Sequence, residues 1–201
     1  MIHPAGGHRG AEVPTITIFD LEYTAWEGSM AQSWLAPGQF REVVQIGAVR
    51  LDADSFAVKA EFDVLVRPRF NAGLSAYFEN LTGIANQQLA ARGMDFRVAY
   101  DCFLAFAGDC PVAAFGRDEK VLEENLRLYG IHDANGLPLF YDLRGWFAVQ
   151  GIDPRGRQSC DIAPALGLPL VGQRHNALDD ARSLAAAMAA IAARGALKPA
   201  A

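Results

Sequence analysis

Cysteine, positive charge and long apolar runs are all scarce in this chain of 201 residues. The three cysteines, Cys102, Cys110 and Cys160, are odd in number and contain no Cys-x-x-Cys pair, which argues against a disulfide framework or a zinc site. Reduced thiols in a cytoplasmic protein are the expectation. No apolar stretch is long and uninterrupted enough for a membrane span, and Met1-Ile2-His3-Pro4-Ala5-Gly6-Gly7-His8 lacks the apolar core of a signal peptide. With 18 Lys and Arg against 23 Asp and Glu, the net charge is −5. A broad basic stripe is therefore excluded. Any hold on an anionic polymer has to be short, resting on locally grouped cations or on bound metal ions that offset acidic residues.

What the chain does have is the make-up of one well-cored domain. Apolar residues are 51% and charged residues 20%, near globular averages, and the length suits a single domain of about 100–200 residues. The expected organisation is a flexible tail over residues 1–13, one domain over 14–195 and a flexible tail over 196–201. Thr15–Glu22 reads as a strand, followed by a Gly/Pro-bearing loop around Tyr23–Phe40 long enough to suspect function. Val43–Leu51 and Val58–Val66 read as strands joined through Asp52-Ala53-Asp54-Ser55 into an antiparallel hairpin, with the first strand in the same sheet. From Leu81 the period turns helical: Ile84–Ala91 and Phe96–Ala107 are helices, Pro111–Phe115 a strand and about Glu119–Tyr129 a helix stopped by Gly130. Pro138–Tyr141 reads as a last strand, Leu143–Val149 and Cys160–Leu166 as helices, and Ala177 to about Ala193 as an Ala-rich terminal helix. A three-strand meander followed by alternating helix and strand implies a mixed α/β sheet of five strands with helices on its faces.

The chemistry concentrates in a few acids and one histidine. In Asp20-Leu21-Glu22, at the end of the apolar run Thr15-Ile16-Thr17-Ile18-Phe19, positions i and i+2 of a strand project two carboxylates to one face. Such a pair repels in a partly dry site unless a hard cation such as Mg²⁺ or Mn²⁺ lies between them. In His175-Asn176-Ala177-Leu178-Asp179-Asp180, Asn176 is a fitting N-cap. That puts Asp179 and Asp180 in the first helical turn and His175 just outside it, where an ordinary pKa of about 6.5 suits a general base. Asp179 faces away from Asp180 and reads as a helix-terminus acid. A fourth acid is expected from Ala114-Phe115-Gly116-Arg117-Asp118-Glu119, where Asp118 opens a helix behind a short strand and is preferred to Glu119. Asp-x-Glu alone is common by chance, and His175 alone would usually be a surface or cap residue. It is the ordered set that carries weight.

That set, Asp20-x-Glu22, then Asp118, then His175-x-Ala177-x-x-Asp180, resembles the three motifs of the DEDDh 3′–5′ exonucleases, the family of the DNA polymerase III proofreading subunit and RNase T. The resemblance runs from about Ile16 to Ala187. Phe19-Asp20-Leu21-Glu22-Tyr23-Thr24-Ala25-Trp26, Val44-Gln45-Ile46-Gly47-Ala48-Val49 and Leu81-Thr82-Gly83-Ile84 are most similar to the Eri-type and KapD-like subgroup. The second motif reads Phe115-Gly116-Arg117-Asp118 in place of the His-Asn-Ala-x-Phe-Asp form of the polymerase and RNase T branches. The resemblance implies a ribonuclease H-like fold. It also implies hydrolysis of the 3′-terminal phosphodiester of single-stranded RNA or DNA by two divalent cations, Mg²⁺ or Mn²⁺, releasing nucleoside 5′-monophosphates. Asp20 would bridge both metals, Glu22 and Asp180 hold the first, Asp118 support the second, and His175 deprotonate the attacking water. Tyr23, Thr24, Leu81, Thr82, Ile84 and Phe115 would hold the terminal nucleotide. Arg117, Arg155, Arg157 and Arg174 are candidates for phosphate contact, and Trp26, Trp34 and Trp146 are either base-stacking or core aromatics. Two alternatives remain open at this point: a binding module that has lost turnover, and a ribonuclease H-type endonuclease, which the His-x-Ala-x-x-Asp arrangement disfavours.

Overall fold

The computed structural model describes residues 14–195, so the expected tails over 1–13 and 196–201 lie outside the described residues. Strands β1 (Thr15–Tyr23), β2 (Val43–Asp52) and β3 (Val58–Leu65) form the antiparallel meander. Two short strands, β4 (Val112–Ala114) and β5 (Phe140–Asp142), add in parallel, and the sheet order is β3-β2-β1-β4-β5. Helices α1 (Ala76–Thr82), α2 (Asn86–Arg92), α3 (Phe96–Ala107), α4 (Asp118–Leu128), α5 (Leu143–Val149), α6 (Ile162–Ala165) and α7 (Ala177–Ala193) cover it, with a 3₁₀ turn at Ser159–Asp161. No helix among the described residues is long and apolar enough to cross a membrane, and the three cysteines are all unpaired.

Because β1 is central, both of its faces are buried, which is why its sequence is a nearly unbroken apolar run. Ile18 belongs to the core beneath α7, with Val49, Leu184 and Met188. Phe19 and Leu21 belong to the core beneath α3 and α4, with Phe96, Phe103 and Leu122. Strand alternation therefore puts Asp20 and Glu22 on the α7 face. A register shift between Glu22 and Tyr23 then re-aims the end of β1.

Two expectations need correction. Helix α1 was not expected, although Ser75 caps it by accepting from the Phe78 amide and Gly83 closes it at φ 72°. Leu81 and Thr82 are its last residues. The expected helix Cys160–Leu166 is instead the 3₁₀ turn followed by the four-residue α6, which contains Pro164.

One buried carboxylate holds the long β1–β2 loop in place. Glu42 is fully buried, and it accepts from the backbone amides of Arg69, Phe70 and Asn71 at 2.6–3.2 Å and from the Tyr129 hydroxyl at 2.7 Å. Truncating it leaves three amides without their acceptor, that of Asn71 in a buried setting. Glu42→Ala is expected to cost about 3–5 kcal/mol, lowering the melting temperature by roughly 10 °C; a shift under about 2 °C in a thermal melt would show that the clasp is dispensable.

Candidate active site

Four carboxylates converge at the carboxyl ends of β1 and β4. Asp20 and Glu22 come from β1, Asp118 from the first residue of α4, and Asp180 from the first turn of α7. Asp20, Glu22 and Asp180 are 7%, 8% and 3% exposed. Helix α7 reaches this position because its first turn lies on Gly47 of β2, while Gln45, one step along the same face, accepts from the Ala177 amide at 3.0 Å. Asn176 caps the helix as expected, accepting from the Asp179 amide at 3.2 Å. Asp179 is turned away, accepting from the Gln173 amide and from Arg182 at 2.8 Å each. Strand β4 ends at Ala114, before it could pair with Leu21, which leaves the Leu21 amide near the carboxylates of Asp20 and Asp118, where it favours their charged forms.

These acids cannot all be ionised in bare protein. Burial, then the charge of Asp118, pushes Asp20 well above the usual carboxylate range, although a 2.8 Å hydrogen bond from the Ser159 hydroxyl opposes this. Burial, followed by Asp20, Asp180 and Asp118, does the same to Glu22. Burial and Glu119 raise Asp118 to about 7, against the pull of Arg41; burial and Asp20 raise Asp180 to about 8. Oδ1 of Asp180 is buried with no hydrogen-bond partner. Ligand atoms of Glu22, Asp180 and His175 all lie within 4.8 Å of one another. An unsatisfied buried oxygen among mutually repelling hard-oxygen donors fits a divalent cation such as Mg²⁺ or Mn²⁺. Asp118 stands outside the triplet, yet near enough for its charge to act on Asp20 and Glu22.

His175 sits on the loop before α7 at φ 57°, a left-handed conformation that costs a side-chain-bearing residue about 1–2 kcal/mol. Arg174, next to it, donates to Asp161 at 2.6 Å and lies 3.4 Å from Cys160 Sγ. The 3₁₀ turn thus touches both halves of the site, through Ser159 to Asp20 and through Asp161 to the histidine loop. Burial first, and Arg174 second, hold the imidazole below its ordinary 6.5, so it is a neutral proton acceptor at pH 7.

The acids and His175 line a cleft of about 660 Å³. Tyr23, Leu81 and Phe115 line it as well. Thr24, Thr82 and Ile84 do not. Thr24 is buried, its hydroxyl donating to Phe40 O at 2.6 Å and accepting from the Glu42 amide at 2.9 Å. Thr82 donates to Phe78 O at 3.0 Å, and Ile84 packs in a small core with Phe78 and Leu89. Trp26 and Trp34 face the cleft, whereas Trp146 packs on Phe56 and Phe147. Of the four candidate arginines only Arg157 lines the cleft; Arg117, Arg155 and Arg174 pair with Glu119, Asp153 and Asp161. Sequence reasoning missed Ser159, which lies 139 positions from Asp20, as well as Arg144 and Tyr77 of the lining. No local signal marks them.

Residues 17–188 match the model of the exonuclease family RNase_T. The 3′-5′ exonuclease Snipper of Drosophila melanogaster is 27% identical over 209 residues, covering 89% of this chain and 69% of that protein. Among solved structures, the nuclease domain of 3′hExo, a DEDDh family member bound to rAMP, superposes with a TM-score of 0.76 at 20% identity over 92% of this chain and 94% of that one. A 3′-exonuclease studied for 3′-end specific recognition of a histone mRNA stem-loop gives 0.72 at 20% identity, over 94% of this chain and 85% of that one. At such identities the structures speak to the fold, and they share the ribonuclease H-like architecture described above. The chain belongs to the RNase_T exonuclease family.

Proposed function

We propose that this protein is a divalent-metal-dependent 3′–5′ exonuclease that hydrolyses the 3′-terminal phosphodiester of single-stranded RNA or DNA and releases nucleoside 5′-monophosphates. The observation that carries the reading is the convergence of three buried acids, Asp20, Glu22 and Asp180, and the half-buried Asp118 from β1, α4 and α7 on one cleft, with a neutral histidine at its edge. Two cations of the Mg²⁺ or Mn²⁺ type would supply water activation and charge neutralisation at the leaving 3′-oxygen. Asp20, Glu22 and Asp180 would hold them beside His175, with Asp118 as a further ligand. His175 accepts the proton of the attacking water at a ring nitrogen. Arg174 and Asp161 hold the loop that presents it. Tyr23, Leu81, Phe115 and the half-exposed Tyr77 offer the terminal base an apolar wall for stacking. The relatives named for 3′ ends and for rAMP support this polarity and substrate class.

The test uses 5′-labelled RNA and DNA oligonucleotides with free or blocked 3′ ends. Stepwise shortening of free ends, protection by the block and monophosphate products are expected. Cleavage of a circular strand, or shortening equal to that of Asp20→Asn, would sink the reading. His175→Ala is expected to lower kcat by about 10²–10⁴-fold while the metal-induced rise in melting temperature persists. Because burial lowers the His175 pKa, the acid limb that it contributes to kcat should lie below pH 6.5 and vanish in that variant. An unchanged limb would assign it to the carboxylates.

A further inference from the structure

Among the lining residues of the cleft the arginines are Arg144 and Arg157, whereas Arg41, which lies against the Trp34 and Tyr23 rings at 5.2 and 5.5 Å, does not line it and is paired with Glu124. Arg144 and Arg157 also line a second, open groove of about 460 Å³, with Gly145, Ala148, Pro154, Arg155 and Gly156. The groove therefore begins where the cleft ends.

Its arginines are oriented yet not used up. Arg144 engages Asp142 through Nε and Nη2 at 2.6–3.1 Å, and Arg155 engages Asp153 through the same edge at 2.7–3.1 Å. In each fork the opposite nitrogen remains for another acceptor. Arg157 has no carboxylate partner among the described residues, only the Asp153 carbonyl at 2.9 Å. The floor is bare: a Cβ added at Gly145 or Gly156 would meet nothing within 4 Å. Oriented guanidinium forks above an open floor suit the charge and the acceptor-only chemistry of a sugar-phosphate backbone.

In-line displacement fixes which part of the strand goes there. The attacking water and the leaving 3′-oxygen lie on opposite sides of the phosphorus. His175 marks the water's side, so the leaving oxygen and the nucleotide that carries it lie toward Asp118. Arg144 stands on that side: its guanidinium carbon would lie 3.9 Å from a Cβ at Gly116, two residues before Asp118. Building on the exonuclease reading above, we infer that the Arg144–Arg155–Arg157 groove binds the phosphodiester backbone of the nucleotides 5′ to the scissile bond. It is a subsite for polynucleotide length, separate from the pocket for the terminal nucleotide.

The experiment compares Arg155→Ala and Arg155→Glu with wild type, because Arg155 lines the groove and not the cleft. Three substrates are used: the p-nitrophenyl ester of thymidine 5′-monophosphate, which needs only the terminal pocket, a dinucleotide and a fluorescent octanucleotide. Binding of the octanucleotide is also followed by anisotropy in EDTA across a salt series. The expected result is unchanged kcat/KM on the ester and dinucleotide. On the octanucleotide, KM rises about tenfold in Arg155→Glu, and the salt slope of log K shrinks by about 0.7 per lost phosphate contact. Adding Arg157→Ala deepens the octanucleotide defect. An octanucleotide KM and salt slope equal to wild type in both variants overturns the groove while leaving the exonuclease reading intact. A wild-type enzyme that turns over none of the three substrates overturns both.

Discussion

Asp20→Asn is expected to lower kcat/KM at least about a thousandfold, roughly 4 kcal/mol, and at the same time to raise the melting temperature of the metal-free protein. Both effects follow from its position at the centre of the acids. Its charge raises Glu22 and Asp180, and it is itself raised by Asp118. Asparagine keeps the shape and an acceptor for Ser159 but removes the repulsion. The sign of the pH dependence follows from the same shifts. Asp118 and Asp180 have folded-state values near 7 and 8 against an ordinary 3.8, so the unfolded chain releases these protons first. Metal-free wild type should therefore lose stability as pH rises from about 4 to 8 and level off above that. Manganese or magnesium should reverse the loss. A ligand at a hundred times its dissociation constant contributes about 2.7 kcal/mol, or roughly 5–10 °C in a protein of this size. In Asp20→Asn the metal shift should be largely gone. A metal-free variant that melts below wild type across pH 6–9, or one that still gains the full metal shift, would refute the account of the site as mutually repelling acids held by cations.

The second large effect lies away from the chemistry. At Gly47 an added Cβ would stand 2.1 Å from the Leu178 amide nitrogen and 2.3 Å from the Ala177 carbonyl carbon. Both are backbone atoms of the first turn of α7 and neither can rotate aside. Gly47→Ala must lift that turn off the sheet, breaking the Gln45–Ala177 hydrogen bond and moving Asp180 and His175 together. A loss of about 3 kcal/mol or more is expected, with kcat falling about 100-fold in whatever folds, since a shift near 1 Å is enough to spoil alignment. Gly136→Ala, where a Cβ meets nothing within 4 Å, should change neither quantity. Paired thermal melts and oligonucleotide kinetics decide the matter. A stable and fully active Gly47→Ala would mean that α7 does not dock as described.

Much of the fold was legible because periodicity was long enough to register. Phe96–Ala107, Leu143–Val149 and Ala177–Ala193 have the expected ends, and the five strands have the expected order along the chain. The 3₁₀ turn was hidden because three residues carry no period, and helix α1, as short as α5, is marked chiefly by its caps, Ser75 and Gly83. Among the substrate candidates, the backbone path after Glu22 separates neighbours: Tyr23 reaches the cleft while Thr24 turns inward to tie down the β1–β2 loop.

The sequence by itself pointed to the family and the mixed sheet, and singled out Asp20, Glu22, Asp118, His175 and Asp180 as candidates, because strand alternation, helix capping and motif order are local properties of the chain. Only the tertiary structure decided which groups share one space. Ser159 on Asp20, Asp161 on the loop of His175, Gly47 beneath α7 and the arginine groove beside Arg144 are contacts between segments far apart in the chain. Close packing sets such contacts, and no spacing along the sequence encodes them.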